Sequence, residues 1–468
     1  MTKKQDEVKS TEKKSQEKVV KATKTTTKKA PAKKTTNKKE EIKEERDIVL
    51  ENSEKEANIV KEEKREENPV KSAIELLLII AAIIVIIVFF PNTVIWNIVV
   101  LLLILTALIF VHEFGHFIIG KLCGVHIYEF ALGMGPKVLG FKRKNDPTEY
   151  NLRALPIGGY CSLAGEEGED DSSLPKDKFM CNKGKLKRVA ILVAGVTMNF
   201  ITAFLLLFFI SFIWGSNEQA SYIGYVEADS PAAKAGVSVG DKIIECNGYK
   251  VSTWDKLSVI TSLKGNNDYY EYVIRHKDGK EEKYKIIPDE YVVLDDENIK
   301  ITEEHTLDKI IEEKKLNKDE VVTSKLIGIG AETEIKHGFM NALDYAYKKF
   351  GSLVSTLFLI LGSLFTGKLG LDALSGPVGM YTVVNTVAAY GLSNILYLAA
   401  YLSINLGIIN ILPFPAFDGG RVLFIGIEAI TGKKVDPKIE GYFHTIGFML
   451  IMLLMLYITW HDIVTLFF

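Results

Sequence analysis

The sequence predicts a polytopic α-helical membrane protein with one α/β domain outside the bilayer and a disordered, charged amino-terminal tail. Three observations carry this expectation. The 468-residue chain is uneven, a polar head being followed by long runs of Leu, Ile, Val and Phe. Lysines and arginines gather at particular ends of those runs. Between two of the runs, short strand patterns alternate with Gly turns. The formal net charge of −2 gives no reason to expect a nucleic-acid partner. The four cysteines, Cys123, Cys161, Cys181 and Cys246, are too few for a disulfide scaffold and lack the spacing of a zinc knuckle.

Residues 1–70 are dominated by Lys, Thr, Ser and Ala up to Lys39, and by alternating Glu and Lys thereafter. Such a segment has almost nothing to bury and is expected to be disordered. It reads as a solvated cytoplasmic tail that helps set orientation; contact of its Lys-rich half with anionic lipid or nucleic acid is the other reading. The basic start followed directly by an apolar core of a cleavable signal peptide is missing. Residues 73–90 read as a first span, ended by Pro91 and Asn92, and 95–120 as a second. Residues 189–214, 396–420 and 443–466 complete five expected spans. The tail, the cluster Lys183 to Arg188, and Lys433 with Lys434 mark cytoplasmic ends. That places residues 215–394 and the carboxyl terminus outside. Leu353–Phe365 is short for a span and follows the amphipathic Phe339–Lys349, so 336–395 is expected to include a helix lying on the outer face.

His112-Glu113-Phe114-Gly115-His116 falls late in the second span. On a helix its histidines lie one turn apart on one face, able to grip one metal ion, with Glu113 beside them as the natural base. Imidazoles suit Zn²⁺, which keeps a position for water and lowers its pKa towards about 7. A bare pattern of this kind is common by chance. Inside a hydrophobic span, however, ionisable side chains cost several kcal/mol unless paired or metal-bound.

Two histidines need a third ligand, and the other intramembrane candidate is Asp418, in Asn410-Ile-Leu-Pro413-Phe-Pro415-Ala-Phe-Asp418-Gly419-Gly420. Pro413 and Pro415 cannot complete a helical ladder, so the chain must unwind where protein or a water-filled cavity satisfies it. The plainer alternative is a helix end followed by a loop.

The two motifs, in this order, resemble the site-2 protease family, in particular its bacterial regulator-of-sigma-factor proteases, whose signatures are HExxH and a distant NxxPxPxxDGG. The resemblance implies zinc held by His112, His116 and Asp418, Glu113 as general base and acid, and Asn410 as a polar helper near the oxyanion. It also implies transmembrane protein or peptide substrates, such as anti-sigma factors or remnant signal peptides, in a bacterial inner or plasma membrane. Tyr150 to Tyr160 looks like the family's membrane-dipping hairpin, within a cytoplasmic loop of residues 121–188, and Ser375 to Gly379 like its motif before the third core span. Strand-like residues between Val125 and Leu163 are candidates for an edge onto which an unwound substrate adds as a strand; a plain connector is the alternative.

Residues 220–335 look like a PDZ domain, from Tyr222 to Val226, Ser230 to Gly236 and Gly240 to Gly248, with Leu326 to Gly330 as a last strand. A charged stretch of about 289–325 reads as an insertion without a core pattern. Steric gating of bulky ectodomains is the favoured role, peptide capture the other. His126, His305, His337, His444 and His461 have no ligand spacing and are expected to be non-metal residues. The rival functional class is a non-catalytic membrane scaffold or a metal carrier; an intact Glu113 speaks against it.

Overall fold

The computed structural model describes residues 94–467 apart from 167–172, 218–220, 264–267, 294–297, 303–304, 315–321, 332–333 and 372–373. The expected tail and the expected span at 73–90 lie outside the described residues.

Helix α1 (Val94–Leu122) is apolar up to the histidine motif except for Asn97 and Thr106. Its 29 residues, at about 1.5 Å each, exceed the thickness of the hydrocarbon core. Strands β1 (Ile127–Lys142) and β2 (Glu149–Leu163) follow and pair with each other. Both are bent, so that Phe130 lies between Cys161 on one side and Tyr150 on the other, and Tyr150 lies between Phe130 and Phe141. The result is a small compact sheet rather than a plain hairpin. Thr106 donates to the Pro156 carbonyl, and Lys121 pairs with Asp146, fastening the sheet along α1.

Helix α2 (Lys185–Trp214) is the centre of the helical assembly. Its Ile191 and Leu192 pack towards the sheet, and its Ala203 and Leu207 pack among Ala346, Leu353, Ala400, Ile404 and Ile408 of later helices. After it comes the α/β unit, containing β3 (Ser216–Asn217), β4 (Ile223–Val226), α3 (Pro231–Lys234), β5 (Lys242–Cys246), β6 (Tyr249–Lys250), α4 (Trp254–Leu263), β7 (Tyr270–Arg275) and β8 (Glu281–Ile286). It continues through β9 (Asp289–Val293), β10 (Asn298–Lys300), α5 (Leu307–Lys314), β11 (Val322–Leu326), β12 (Ile329–Ala331) and β13 (Ile335–Lys336). A four-stranded sheet in the order β6-β5-β7-β8 carries its main core, with Ile243, Cys246, Ile260, Tyr272 and Ile274 buried. The charged stretch differs from expectation. It forms a second sheet, β10-β9-β11, and buries Tyr291, Val292 and Ile310. Isolated apolar residues among charges conceal a core when strands from distant positions supply the neighbours.

Five more long or medium helices complete the described residues: α6 (Phe339–Phe365), α7 (Pro377–Ala389), α8 (Leu392–Ile411), α9 (Asp418–Thr431) and the last helix, α10 (Pro437–Phe467). Among the described residues, five helices are long and apolar enough to cross a membrane, Ile95–Leu122, Lys185–Trp214, Phe339–Phe365, Leu392–Ile411 and Lys438–Thr465. The chain is a polytopic membrane protein. Two expectations change here. The amphipathic Phe339–Lys349 and the apolar Leu353–Phe365 are one continuous helix, α6, in which Lys349 is buried and pairs with Asp255 of the α/β unit. The expected element at 396–420 is a helix that stops at Ile411, a turn through both prolines, and a separate helix that begins at Asp418. Proline lacks the N–H that a continued ladder requires.

Helix α6 touches both parts of the molecule. Besides the Lys349–Asp255 pair, Ser352 and Thr253 share a hydrogen bond, and Leu359 packs on the core that contains Ile260. The Ser375 to Gly379 segment starts α7, where the Asp462 carboxylate of α10 accepts from the Gly379 N–H at 2.8 Å. A Cβ at Gly376 would come within 2.8 Å of that carboxylate, so the small residues of this segment let α10 approach the helix start. Elsewhere α10 is lightly packed: Leu453 and Leu456 are each 63% exposed, a surface for lipid.

Candidate metal centre

The site forms where α1 crosses α2. Gly115 sits so close to the Ala194 carbonyl that a Cβ there would overlap it, and Gly195 faces the two imidazoles. Close helix approach through small residues is the means by which apolar spans pack in lipid. His112 and His116 are both buried. Their Nε2 atoms lie 3.1 Å apart. Asp418, in the first turn of α9, brings its Oδ2 to 3.0 Å from His112 Nε2 and 3.3 Å from His116 Nε2. Three donors on a tetrahedral zinc with bonds of about 2.0–2.1 Å lie about 3.3 Å apart.

The opposite ring nitrogens tell what the inner ones carry. His116 Nδ1 donates to the Ile191 carbonyl at 2.8 Å, which leaves a lone pair on Nε2. His112 Nδ1 faces the Asn199 amide at 3.1 Å, and Asn199 Oδ1 is buried with no partner among the described residues. Exchanging the two ends of that amide gives Oδ1 an N–H to accept and gives His112 the same tautomer as His116. Two imidazole lone pairs and a carboxylate oxygen then converge on one point, an arrangement that repels itself unless a cation occupies it. Among the described residues, His112, His116 and Asp418 form such a metal-capable group, their donor atoms all within 4.8 Å of one another.

Glu113 lies outside this triangle. Its Oε2 accepts from the Cys161 backbone N–H at 3.0 Å. Residues 159–163 of β2 pair with β1 on one side only, so their other backbone edge faces α1 and the site. Asn410, in the last turn of α8, is half-buried and makes no hydrogen bond with the triangle among the described residues. Helix α9 is held in place by Arg421 with Glu166, by Arg188 with Glu428 at 2.6 Å, and by Lys185 on the Glu428 carbonyl at 3.0 Å.

The sequence reading did not single out Gly195 or Asn199. A signal was present, since Asn199 is a lone amide in the middle of an otherwise apolar span, the same anomaly that marks Asp418. The sequence reading placed His444 only among the non-metal histidines and gave it no link to the site; its Nδ1 accepts from the Ala416 N–H at 2.9 Å, two residues before Asp418.

Comparison with known proteins gives the same direction. The family model for peptidase family M50 matches residues 100–454. The zinc metalloprotease RasP of Shouchella clausii is 32% identical over 441 aligned residues, covering 78% of this chain and 98% of its own. The regulator of sigma-W protease RasP of Bacillus subtilis is 29% identical, covering 78% of this chain and 97% of its own. A match that spans both motifs and nearly every described helix leaves one conclusion: the chain belongs to peptidase family M50, the site-2 proteases, and is a zinc metalloprotease of a bacterial membrane.

Proposed function

We propose that this protease performs regulated intramembrane proteolysis, cutting transmembrane substrates within or beside the bilayer, with zinc on His112, His116 and Asp418. The observation that supports it most is the buried triangle of donor atoms, 3.0 to 3.3 Å on its edges, at the crossing of two helices long enough to span. Zinc bound there supplies a Lewis acid for a carbonyl and lowers the pKa of water. Glu113 takes the proton of the attacking water and returns it to the departing amine. Asn410 is assigned to the developing oxyanion.

A peptide bond inside a helix is shielded by its own hydrogen bonds, so the substrate must unwind before it is cut. The edge of residues 159–163 that no strand covers suits this step, because an extended chain added there runs past Glu113, which now accepts from the Cys161 N–H. The α/β unit fits a PDZ-like gate. Its support is the attachment to α6 through Asp255 and Thr253, which holds it against the helices. The same contacts favour α6 as a helix on the outer face, since Ser352 and Leu359 meet the soluble unit while Leu353 and Leu357 meet α2 and α8. The charge pattern supports a cytoplasmic side for the motif ends of α1 and α8. By analogy with the Bacillus subtilis relative, named a regulator of sigma-W protease, membrane-tethered regulators such as anti-sigma factors are the proposed substrate class.

The test uses purified full-length protein and a reporter helix in liposomes. Chelation is expected to abolish cleavage and added zinc to restore it, whereas Asp418→Ala stays inactive and zinc-poor at any zinc concentration tried. Zinc content unaffected by Asp418→Ala would move the third ligand elsewhere. A finer expectation concerns Asn199. Asn199→Ala should weaken zinc retention against a competing chelator about 10–100-fold, and Asn199→Asp, which can still accept from His112, should weaken it far less.

A further inference from the structure

The turn that delivers Asp418 is held by the last helix. Ala416 N–H donates to His444 Nδ1 at 2.9 Å, and Pro415 packs on Gly447 so closely that a Cβ at 447 would overlap its ring. Ala416 has a φ of +71°, in the left-handed region that a Cβ disfavours. Among the described residues, the other non-glycine positions with positive φ are Asp229 and Asn247, residue types that tolerate it through their own side chains. Alanine has no such means, so its surroundings must impose the conformation.

The histidine side of the contact is also costly. With Nδ1 accepting, Nε2 carries the proton, and that atom is buried without a hydrogen-bond partner among the described residues. A left-handed alanine and an unpaired imidazole N–H therefore meet at one hydrogen bond, two residues from a side chain of the triangle. Local costs of this kind persist where the backbone has to be aimed.

We infer that His444 is a positioning residue. By holding Ala416 left-handed, it turns the chain after Pro415 so that α9 starts with the Asp418 carboxylate facing His112 and His116. The last helix thereby belongs to the metal site although it supplies no ligand. This inference rests on the reading that Asp418 holds the zinc.

The test is zinc retention by purified full-length protein against a chelator of known affinity, alongside thermal unfolding and cleavage of the reporter helix. His444→Phe keeps the ring and removes the acceptor; zinc affinity is expected to fall about 10–100-fold. His444→Asn places an acceptor oxygen at the same distance along the side chain as Nδ1 and should recover most of that loss. Ala416→Gly in the His444→Phe background should also recover affinity, because glycine adopts the left-handed turn without help. A purely structural role predicts instead that His444→Asn, the smaller side chain, is the worse variant and that the glycine brings no recovery. Wild-type zinc affinity in His444→Phe, equal losses in the Phe and Asn variants, or additive losses in the double variant would each overturn the inference. Asp418→Ala separates the two levels: if it keeps zinc, the ligand assignment fails, and if it loses zinc while His444→Phe does not, only the role of His444 fails.

Discussion

Glu113→Gln is expected to lower the rate of substrate cleavage by about 10²–10⁴-fold, the usual worth of a positioned proton-transfer group, while the protein keeps its zinc. The geometry separates the two effects. Glu113 is not one of the three donors that converge on a single point, so its removal takes no ligand away. Glutamine has the same shape, and its carbonyl can still accept from the Cys161 N–H that now holds the carboxylate at 3.0 Å. What glutamine cannot do is take a proton. The loss should therefore fall on kcat, with KM near the wild-type value, because the strand edge that would bind substrate is untouched. Single-turnover cleavage and metal analysis on the same preparation check this. Loss of zinc would make Glu113 a ligand, and unchanged cleavage would place the base elsewhere.

The parts of this site legible in the sequence are those whose cost in lipid is high. His112, Glu113, His116 and Asp418 stand out because an ionisable group inside an apolar run needs a reason, and the structure brings the two histidines and Asp418 together. The long helices were readable for the converse reason, since runs of apolar residues admit few alternatives. What stayed hidden depends on tertiary partners. Lys349 looks like the solvated end of an amphipathic segment until Asp255 arrives from the α/β unit to pair with it. Gly419 and Gly420 lie inside the first turn of α9, where a Cβ would overlap the Leu412 and Phe414 carbonyls, the close backbone approach that glycine permits. Helix α9 as a separate element was missed because the expected span ran from 396 to 420 across both prolines and ended inside its first turn. Tyr291 and Ile310 look like stray apolar residues in a charged stretch, yet both are buried, Tyr291 on the central strand of the sheet β10-β9-β11 and Ile310 on α5. Asn199 is intermediate: its anomaly was visible, but its partner on another helix was not.

Gly195 should be the most sensitive position in the protein that is neither a ligand nor a base. A Cβ there would lie 2.5 Å from His116 Nε2 and 2.7 Å from His112 Cε1, well inside contact distance. Neither ring has freedom to retreat, for His116 is tied to the Ile191 carbonyl and His112 to Asn199. Gly195→Val is therefore expected to scatter the donor atoms, empty the site of zinc and lower cleavage by about 10²-fold or more. The comparison that gives this meaning is Gly115→Ala. At Gly115 the overlap is with backbone, the Ala194 carbonyl on the facing helix, so the helices themselves must part. Overpacking of that kind costs about 1–3 kcal/mol and should appear first as a lower melting temperature. Even Gly195→Ala should instead show its loss first in zinc content, at a melting temperature close to that of metal-free wild type. If both variants lose stability and zinc in equal proportion, α1 and α2 form one rigid unit whose packing and metal binding cannot be separated; if they divide as expected, Gly115 serves the helix crossing and Gly195 keeps the space that the metal-binding rings occupy.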